Sequence, residues 1–452
     1  MSQTANASRS TSPNQIASPD QSAEARQTAG VPTVAGRVDE AKASARRFLS
    51  GTPGRLRILA LLTVAVSLIF AIGAYSAFGS ADIALGRAGA NAAQLVRIQA
   101  IHTSLVRADA DATNAFLVGG LEPADQRASY LASVQQASRL IAEAARAQPA
   151  DGPALGALNT SVLTYAGLVE QARANNRQAL PVGAQYLRVA SSGLRSDALP
   201  ILDALVQAND ARVRAELNNA AGASTALITS GLLALLVLIG GMLWLSRRTH
   251  RYINAPLVAA AVAILVTLVA GVIVLSSVSS RVASVRDGSY AATLATAKAR
   301  IAAFDAKSNE SLTLIAHGSG SAFEQAWKSS STVVTQQSQA AARLSSDAAN
   351  ISGLWSAYVA SHLKIRQADD GGQWDTAVAQ AIGNAPSSAN ATFNAFDTRS
   401  STALTASSKA VSDSLDTPRI WLSLVGWLGL LVGIAAAVSA WWGVSLRLEE
   451  YR

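Results

Sequence analysis

Four long apolar runs divide an otherwise polar, alanine-rich chain. They are ILALLTVAVSLIFAIGAYSAF (58–78), TALITSGLLALLVLIGGMLWL (225–245), PLVAAAVAILVTLVAGVIVLSS (256–277) and IWLSLVGWLGLLVGIAAAVSAWWGV (420–444). None contains Asp, Glu, Lys, Arg or His, and each is long enough to cross roughly 30 Å of hydrocarbon as a helix. The pattern predicts four transmembrane helices.

The two long segments between the spans alternate helical stretches with turn signals. In the first, apolar residues recur with the 3.6-residue period of a helix at Leu155, Leu158, Val162, Tyr165, Leu168 and Val169. The turn sequences GGLEP, QPADGP and NNRQALPVG divide this segment into four helices. HGSGS (317–321), residues 348–353 and ADDGG (368–372) divide the second segment in the same way. An antiparallel four-helix bundle is the simplest arrangement for each segment.

The two halves of the chain repeat the same order of elements. The sequence DADATNAFLVGG from Asp109 corresponds to DAKSNESLTLIAHG from Asp305, an offset of 196 residues. Tyr165 corresponds to Tyr358 at an offset of 193 residues. The order of span, outer segment and span occurs twice in the same direction, which indicates a tandem duplication.

We therefore predict an all-α membrane protein with four transmembrane helices and two extracytoplasmic antiparallel four-helix bundles arranged as a tandem duplication. The predicted segments are a disordered basic cytoplasmic tail with a short amphipathic segment (1–54), a transmembrane helix (55–79), an extracytoplasmic bundle (80–224), a transmembrane helix (225–246), a cytoplasmic loop (247–255), a transmembrane helix (256–277), a second extracytoplasmic bundle (278–418), a transmembrane helix (419–445) and a cytoplasmic stub (446–452). The amphipathic part of the tail is RVDEAKASARRFLS (37–50).

The distribution of charge predicts the orientation. The net charge is +8, and residues 1–57 carry eight basic and four acidic residues, while the linker SRRTHRYIN adds three arginines and no acid. Segments 80–224 and 277–418 have no net charge. Because short basic segments stay in the cytoplasm and long neutral loops are translocated, we expect a multi-pass protein of the cell membrane with both termini cytoplasmic. The basic tail suits an anionic membrane surface, and we expect no nucleic-acid partner.

The sequence offers no set of residues typical of catalysis or of a metal site. The chain has no Cys, and its four histidines, His102, His250, His317 and His362, lack the spacing of a metal motif. No phosphate-binding loop of the form G-x-x-x-x-G-K-[ST] occurs. Asp109 and Asp111 face different directions on a helix, so a solvated or capping role is expected for them. We expect no enzyme, no metal and no cofactor.

The spans favour close helix packing over transport. Ion pathways usually place ionisable residues within the membrane, and these spans have none of Asp, Glu, Lys, Arg or His. Small residues that permit close approach lie at Gly429, Gly433, Ala259, Ala263 and Gly240-Gly241. A compact bundle of four spans is expected, and the oligomeric state stays open, with a homo-oligomer compatible with the pattern.

The turns at one end of the two bundles form the candidate binding site. Helices that alternately leave and approach the membrane place GGLEP and NNRQALPVG at the far tip of the first bundle, and HGSGS and ADDGGQW at the tip of the second. Residues that could contact a partner there are Asn175, Asn176, Arg177, Tyr186, Asp369, Asp370 and Trp374. The alternative is that Asn, Gly and Pro only end and restart helices at these turns. Below the tip, Pro200 predicts a kink in the fourth helix of the first bundle.

Several of these stretches are similar to one family. LVRADADATNAFLVGGLEPADQRASY, EQARANNRQALPVGAQYLRVAS, ESLTLIAHGSGSAFEQAWK and IRQADDGGQWDTAV resemble the GlnX-type membrane proteins of actinobacteria, over most of residues 55–445. The resemblance implies a relay between an extracytoplasmic amino-acid-binding lipoprotein and a cytoplasmic Ser/Thr protein kinase that controls nitrogen and carbon metabolism. It assigns no functional residue, and it does not include the tail.

Two other functions are compatible with the pattern. One is a direct sensor that binds a small molecule between bundle helices, as in chemoreceptor-like four-helix domains, and it predicts polar residues that converge inside a bundle. The other is an envelope or cell-division scaffold without a ligand.

Overall fold

The computed structural model describes residues 51–118, 122–249 and 254–449. By its contacts the chain divides into two units, Met1–Ile58 and Leu59–Arg452, and both helical bundles belong to the second. The predicted amphipathic segment 37–50, residues 119–121 of the GGLEP turn and His250 lie outside the described residues.

The described part of the chain is helical and contains no β-strand. Its twelve α-helices are α1 (Gly51–Leu117), α2 (Ala124–Ala147), α3 (Gly152–Asn176), α4 (Val182–Gly193), α5 (Leu199–Gly222), α6 (Ser224–Thr249), α7 (Ala255–Val285), α8 (Ala291–Ile315), α9 (Ser321–Leu344), α10 (Ile351–Asp370), α11 (Trp374–Ile382) and α12 (Ala389–Glu449). Two π-helical turns, Leu194–Ala198 and Arg286–Tyr290, join α4 to α5 and α7 to α8.

The four predicted spans are confirmed. Four helical stretches are long and apolar enough to cross a membrane, and they are Gly54–Leu117, Val182–Arg247, Ala255–Ile315 and Ala389–Leu446. Each stretch has 58–66 residues, about three times the roughly 20 that a bilayer requires, so it continues from the span into a bundle. The protein is an all-α membrane protein.

Small residues bring the first and fourth spans close together. A Cβ placed on Gly433 would lie 2.5 Å from the Cβ of Ala71, and one on Gly429 would lie 3.0 Å from the Cβ of Ala74. The expectation of close packing at GLLVG is therefore confirmed. For the pair Gly240-Gly241 the expectation is confirmed at Gly241, where an added Cβ would lie 2.8 Å from Leu59 Cδ1. It is wrong for Gly240, which has nothing within 4 Å, and for Ala259, which is exposed. Gly240 and Ala259 lie on faces of their helices that the neighbouring spans do not contact.

This packing gives a first testable prediction. We expect Gly433→Val to lower the thermal unfolding midpoint of the chain in detergent, because the new side chain meets the backbone of Ala71, with its Cα at 2.7 Å. Overpacking of this kind typically costs about 1–3 kcal/mol. Gly240→Val is the matched control, since it adds the same atoms to an open face. Equal midpoints for the two variants would show that the first and fourth spans do not pack at Gly433.

The first bundle consists of the outer part of α1 (residues 79–117) with α2, α3, α4 and α5. Its buried core includes Leu155, Leu158, Val162, Tyr165 and Val169, as the 3.6-residue pattern of α3 predicts. A short turn joins α3 to α4 at one end, where Asn176 also bonds to the end of α1, and Pro149–Asp151 joins α2 to α3 at the other. This order is the predicted antiparallel one.

The second bundle consists of α8, α9, α10, the short α11 and the first part of α12. The three predicted breaks are present, at residues 316–320, 345–350 and 371–373. A fourth break, residues 383–388 between α11 and α12, was not predicted, although Gly383 and Pro386 mark it. Tyr358 lies in the core of this bundle, as Tyr165 does in the first, which agrees with the duplication.

The two bundles share an interface along α1 and α8. Val106, Ala110 and Leu117 of α1 belong to the buried core of the second bundle. Residues 306–314 of α8 are buried on every face of the helix. A helix that is buried all round packs against neighbours on all sides, so both bundles lie on the same side of the four spans.

The chain stays helical at Pro200, where the sequence predicts a kink. The π-helical turn Leu194–Ala198 ends two residues before the proline, and a bend at this position stays a prediction. Proline removes one backbone N–H from the helix ladder, and a π-helical turn is an insertion that often occurs at functional sites. The turn carries Arg195.

Candidate functional site

The turns at the far ends of the two bundles meet in one groove. The side-chain amide of Asn176 donates to the carbonyl of Phe116 at 3.4 Å and ties α3 to the end of α1. In the second bundle, Trp374 Nε1 donates to the carbonyl of Leu314 at 3.0 Å, and its ring stacks on His317 with centroids 4.6 Å apart. The residues that line the groove are Phe116, Leu117, Asn176, Ala179, Leu180, Pro181, Ala184, Ile315, His317 and Trp374.

Both walls of the groove contain backbone in the left-handed region. Ala179 has a φ of 53° and His317 a φ of 42°. Residues other than glycine pay a conformational cost there, of order 1–3 kcal/mol, and such residues cluster at binding sites and clamps. The groove is mostly apolar, with Asn176 and His317 as polar groups, which is the usual composition of a recognition site.

The predicted tip residues have different environments. The Arg177 side chain is exposed and makes no ion pair with a described residue. Asn175 donates to the carbonyl of Gln171 within its own helix. Tyr186 packs partly against the core of the first bundle, so it contributes less to the surface than the sequence suggested.

The two acidic residues of the second tip, Asp369 and Asp370, already form ion pairs within their own bundle. Arg366 lies 2.6 Å from Asp369 and in direct contact with Asp370. The structure therefore brings Asn176 and Trp374 into one groove. Arg177, the next residue after Asn176, is exposed, while Asp369 and Asp370 bind Arg366 of their own helix. A binding role for these residues stays a prediction.

Below the groove, one arginine joins the two bundles. Arg195 Nη1 lies 3.3 Å from Asp109 Oδ2 on α1, and its Nε donates to Asp305 Oδ1 on α8 at 3.0 Å. Asp109 and Asp305 are the residues that the repeat places 196 positions apart. Equivalent carboxylates of the two halves thus bind the same guanidinium.

Hydroxyl groups complete this arginine hub, which consists of Arg195, Asp109, Asp305 and the serines bonded to them. Ser308 donates to Asp109 at 2.6 Å and Ser191 donates to Asp109 at 2.5 Å. Asp109 is 1% exposed. The expectation of a solvated or capping role for Asp109 is therefore wrong, because the second bundle packs over it. Asp111, two residues on, instead accepts from Ser129 at 2.8 Å on the other side of the helix.

A second interbundle contact lies nearer the core of the second bundle. Asp397 on α12 contacts Arg107 of α1, and it lies 2.7 Å from Arg300 Nη2 on α8. Arg300 also donates to Ser400 at 2.8 Å. Two bundles joined by buried ionic contacts have few alternative arrangements, since a buried charge without its partner is costly.

A buried chain of charged groups runs through the second bundle. Lys307 Nζ lies 2.7 Å from Glu310 Oε1, and Glu310 Oε2 lies 2.8 Å from His362 Nδ1. The other ring nitrogen of His362 lies 3.2 Å from Glu324 Oε2. Trp327 stacks on the His362 ring with centroids 3.6 Å apart. We call Lys307, Glu310, His362 and Glu324 the buried charge chain.

The protonation of this chain follows from its partners. Burial alone lowers the pKa of His362, but the hydrogen bonds and negative charges of Glu310 and Glu324 outweigh it and raise the pKa above the ordinary 6.5. Burial raises the pKa of Glu310, while the Lys307 charge and the His362 hydrogen bond lower it to about 2. Both residues are therefore charged in mildly acidic solution.

The buried charge chain reaches the tip through Arg366. Arg366 Nε lies 3.7 Å from Glu324 Oε2, and the same guanidinium holds Asp369 and Asp370. No sequence motif marked these residues, because they come from three helices. The signal available from sequence was the run KSNES (307–311), which places polar residues inside a helix that must pack on both bundles.

Comparison with protein families places the first bundle beside known sensor domains. Residues 84–218, which form most of the first bundle, match a family model described as an actinobacterial sensor domain. No curated protein and no solved structure matches the chain. The match does not distinguish the GlnX type. Together with the four spans, the similarity of the first bundle to an actinobacterial sensor domain supports a membrane sensor or signal transducer.

Proposed function

We propose that the chain is a transmembrane signal relay whose far tip receives an extracytoplasmic amino-acid-binding lipoprotein and whose output is a cytoplasmic Ser/Thr protein kinase controlling nitrogen and carbon metabolism. The observation that carries the proposal is the groove in which the end turns of both bundles meet. A partner that fills this groove contacts both bundles at once, so its binding energy can change how they pack. The lipoprotein and the kinase themselves rest on the resemblance of the sequence to GlnX-type proteins.

The composition of the tip suits a protein partner. Leu180, 44% exposed, and Trp374 offer apolar area, and the exposed Arg177 follows Asn176 in the chain. Binding energy at protein interfaces concentrates in a few aromatic and Arg residues. The positive φ values of Ala179 and His317 support a preformed groove, because such conformations persist where the surrounding structure enforces them.

A path from the tip to the membrane is present in the helices themselves. α1 and α12 each run without interruption from a bundle into a span. Packed helices tend to have discrete alternative positions rather than continuous ones. The arginine hub lies between tip and spans, at the π-helical turn Leu194–Ala198, where a small shift of one bundle changes contacts with the other.

The proposed orientation can be tested in cells, because the chain has no cysteine. We expect single cysteines at Thr160 and Ser346, both exposed, to react with a membrane-impermeant thiol reagent in intact cells. A cysteine at Thr249, in the basic linker region, is expected to react only after lysis. Labelling at position 249 alone would invert the topology and remove the basis for an extracytoplasmic partner.

Docking is tested at Leu180, in the wall of the groove, and at the nearby exposed Arg177. We expect Arg177→Glu to weaken capture of the lipoprotein by the full chain in detergent at least tenfold, about 1.4 kcal/mol. Leu180→Asp is expected to do the same by placing a charge in the apolar wall. Both side chains are exposed, so the unfolding midpoint is expected to change little.

The matched control is Arg188→Glu, an equal charge reversal at an exposed residue of α4 that does not line the groove. Capture that is equally strong in wild type, Arg177→Glu and Leu180→Asp would mean that the groove is not the docking site. Capture that falls equally in the Arg188→Glu variant would mean that net charge, not the groove, sets the affinity.

A further inference from the structure

A cleft inside the first bundle lies next to the groove and differs from it in charge. Its floor is apolar, with Ala112, Val169 and Leu187, and three arginines line it: Arg127 of α2, Arg173 of α3, and Arg177 directly after the end of α3. Glu122 is the acidic residue in the lining. Basic groups from two helices thus converge above an apolar floor, which is the arrangement that a direct sensor predicts.

Arg173, the buried arginine of the cleft, is held by two ion pairs and an aromatic ring. Arg173 lies 2.7 Å from Glu122 and 2.7 Å from Glu170, and its guanidinium lies 4.2 Å from the centre of the Tyr130 ring. These ion pairs use two of its five N–H donors. The hydroxyl of Tyr130, below Arg173, is buried without a hydrogen-bond partner among the described residues.

The two other arginines, Arg127 and Arg177, form no close ion pair with a described residue. The nearest carboxylate oxygen to Arg127 is that of Glu170 at 3.9 Å, and both side chains are about half exposed. Exposed pairs of that kind contribute little to stability. Arg177 makes no ion pair with a described residue. Three guanidinium groups therefore face two carboxylates, and the surplus charge lies at the mouth of the cleft.

The size of the cleft limits what it can hold. Its volume is about 60 Å³, and one water molecule requires about 10–15 Å³ on this measure. The cleft therefore admits roughly four to six non-hydrogen atoms. Arginine binds carboxylates through paired charge-assisted hydrogen bonds, and the apolar floor suits a short aliphatic chain.

We propose that this cleft is a binding site for a small monocarboxylate of about two to four carbons. Arg127 and Arg177 bind the carboxylate at the mouth, and Arg173 supplies fixed positive charge behind it. The aliphatic part of the ligand lies against the apolar floor. This site goes beyond the proposed relay, because it makes the first bundle a receptor for a small molecule whether or not a lipoprotein docks at the tip.

The test uses the full chain in nanodiscs of phosphatidylcholine, which has no net charge. Saturation-transfer NMR titrations compare propionate, propionamide and inorganic phosphate at constant ionic strength. We expect saturable binding of propionate and at least tenfold weaker binding of propionamide, which keeps the shape and loses the charge. We expect phosphate, which lacks an aliphatic part, to bind at least tenfold more weakly than propionate.

The double variant Arg127→Gln, Arg177→Gln is expected to bind propionate at least tenfold more weakly than wild type. The Arg188→Gln variant, which changes a residue outside the cleft, is expected to keep the wild-type affinity. Arg173 is left unchanged in these variants, because its ion pairs belong to the fold. Absence of saturable propionate binding in the wild type overturns the proposal, as does equal binding by the double variant. Equal binding of phosphate and propionate would show unspecific anion attraction and would also overturn it. None of these outcomes depends on the lipoprotein, so failure here is separable from failure of the docking experiments.

Discussion

We expect Arg195→Ala to destabilise the chain by about 2–3 kcal/mol, because it leaves Asp109 buried without its cation. Breaking one side of a fully buried ion pair typically costs about 3–5 kcal/mol. The Arg195 and Asp305 side chains are 29% and 26% exposed, which reduces the cost, but the Asp109 side chain is only 2% exposed. Thermal and denaturant unfolding of the purified chain in detergent measures the effect.

The control for this prediction is Arg188→Ala on the adjacent helix α4. Arg188 is exposed and bonds only to Gln185 among the described side chains, so its removal is expected to change stability by no more than about 0.5 kcal/mol. Adding Asp109→Asn to Arg195→Ala is expected to restore part of the loss, because it removes the unpaired buried charge. Equal unfolding of wild type and Arg195→Ala would contradict the assignment of Arg195 as the link between bundles.

The sequence carries most of the architecture. The spans, the helix periods and the turns come from local chemistry, since hydrophobic length, a 3.6-residue period and Gly, Pro or Asn at breaks are each visible within about 20 residues. The α11–α12 break was missed although Gly383 and Pro386 mark it. It was missed because the duplication suggested a single fourth helix, and in this half α11 is too short to match one.

The interactions between distant segments could not be predicted from sequence in the same way. Asp109 and Asp305 were recognised as repeat equivalents, but nothing local says that both meet Arg195. That contact depends on how α1 packs against α8 and on the π-helical turn at Leu194–Ala198. Likewise, the assignment of Asp109 to solvent followed from its position on a single helix and ignored the second bundle that covers it.

The contacts of the buried charge chain also could not be predicted from the sequence. His362 lacks the spacing of a metal motif, and its partners Glu310 and Glu324 are 52 and 38 residues away in sequence. Buried ionic groups are retained only with partners, so a run such as KSNES inside a helix indicates that partners exist without saying which. The partners become visible only when α8, α9 and α10 are packed together.

The charge on His362 gives the stability of the second bundle a defined pH dependence. Its pKa is raised in the folded chain, so its contribution is fully present below the ordinary value of 6.5 and is lost as the pH rises through the folded value. The pKa of Glu310 is lowered to about 2 from 4.5, so its contribution is present above 4.5 and is lost as the pH falls towards 2. For these two groups the stability is greatest between about 4.5 and 6.5.

We therefore expect the unfolding midpoint of the chain to fall as the pH rises above about 6.5, and His362→Gln to remove much of that fall. The variant is expected to be less stable than wild type at pH 6, because Glu310 and Glu324 lose the cation between them, and closer to wild type at alkaline pH. Other groups also titrate in this range, among them Asp111, whose pKa burial raises to about 6. The difference between wild type and variant at each pH isolates His362, and His317→Gln, which alters an imidazole stacked on Trp374 at the tip, is the control.

A local fluorescence signal accompanies the change in stability, because Trp327 lies against the His362 ring and its emission responds to the charge on the imidazole. Parallel midpoint curves for wild type and His362→Gln, with no pH-dependent emission assignable to Trp327, would show that the imidazole does not carry a proton between the two glutamates.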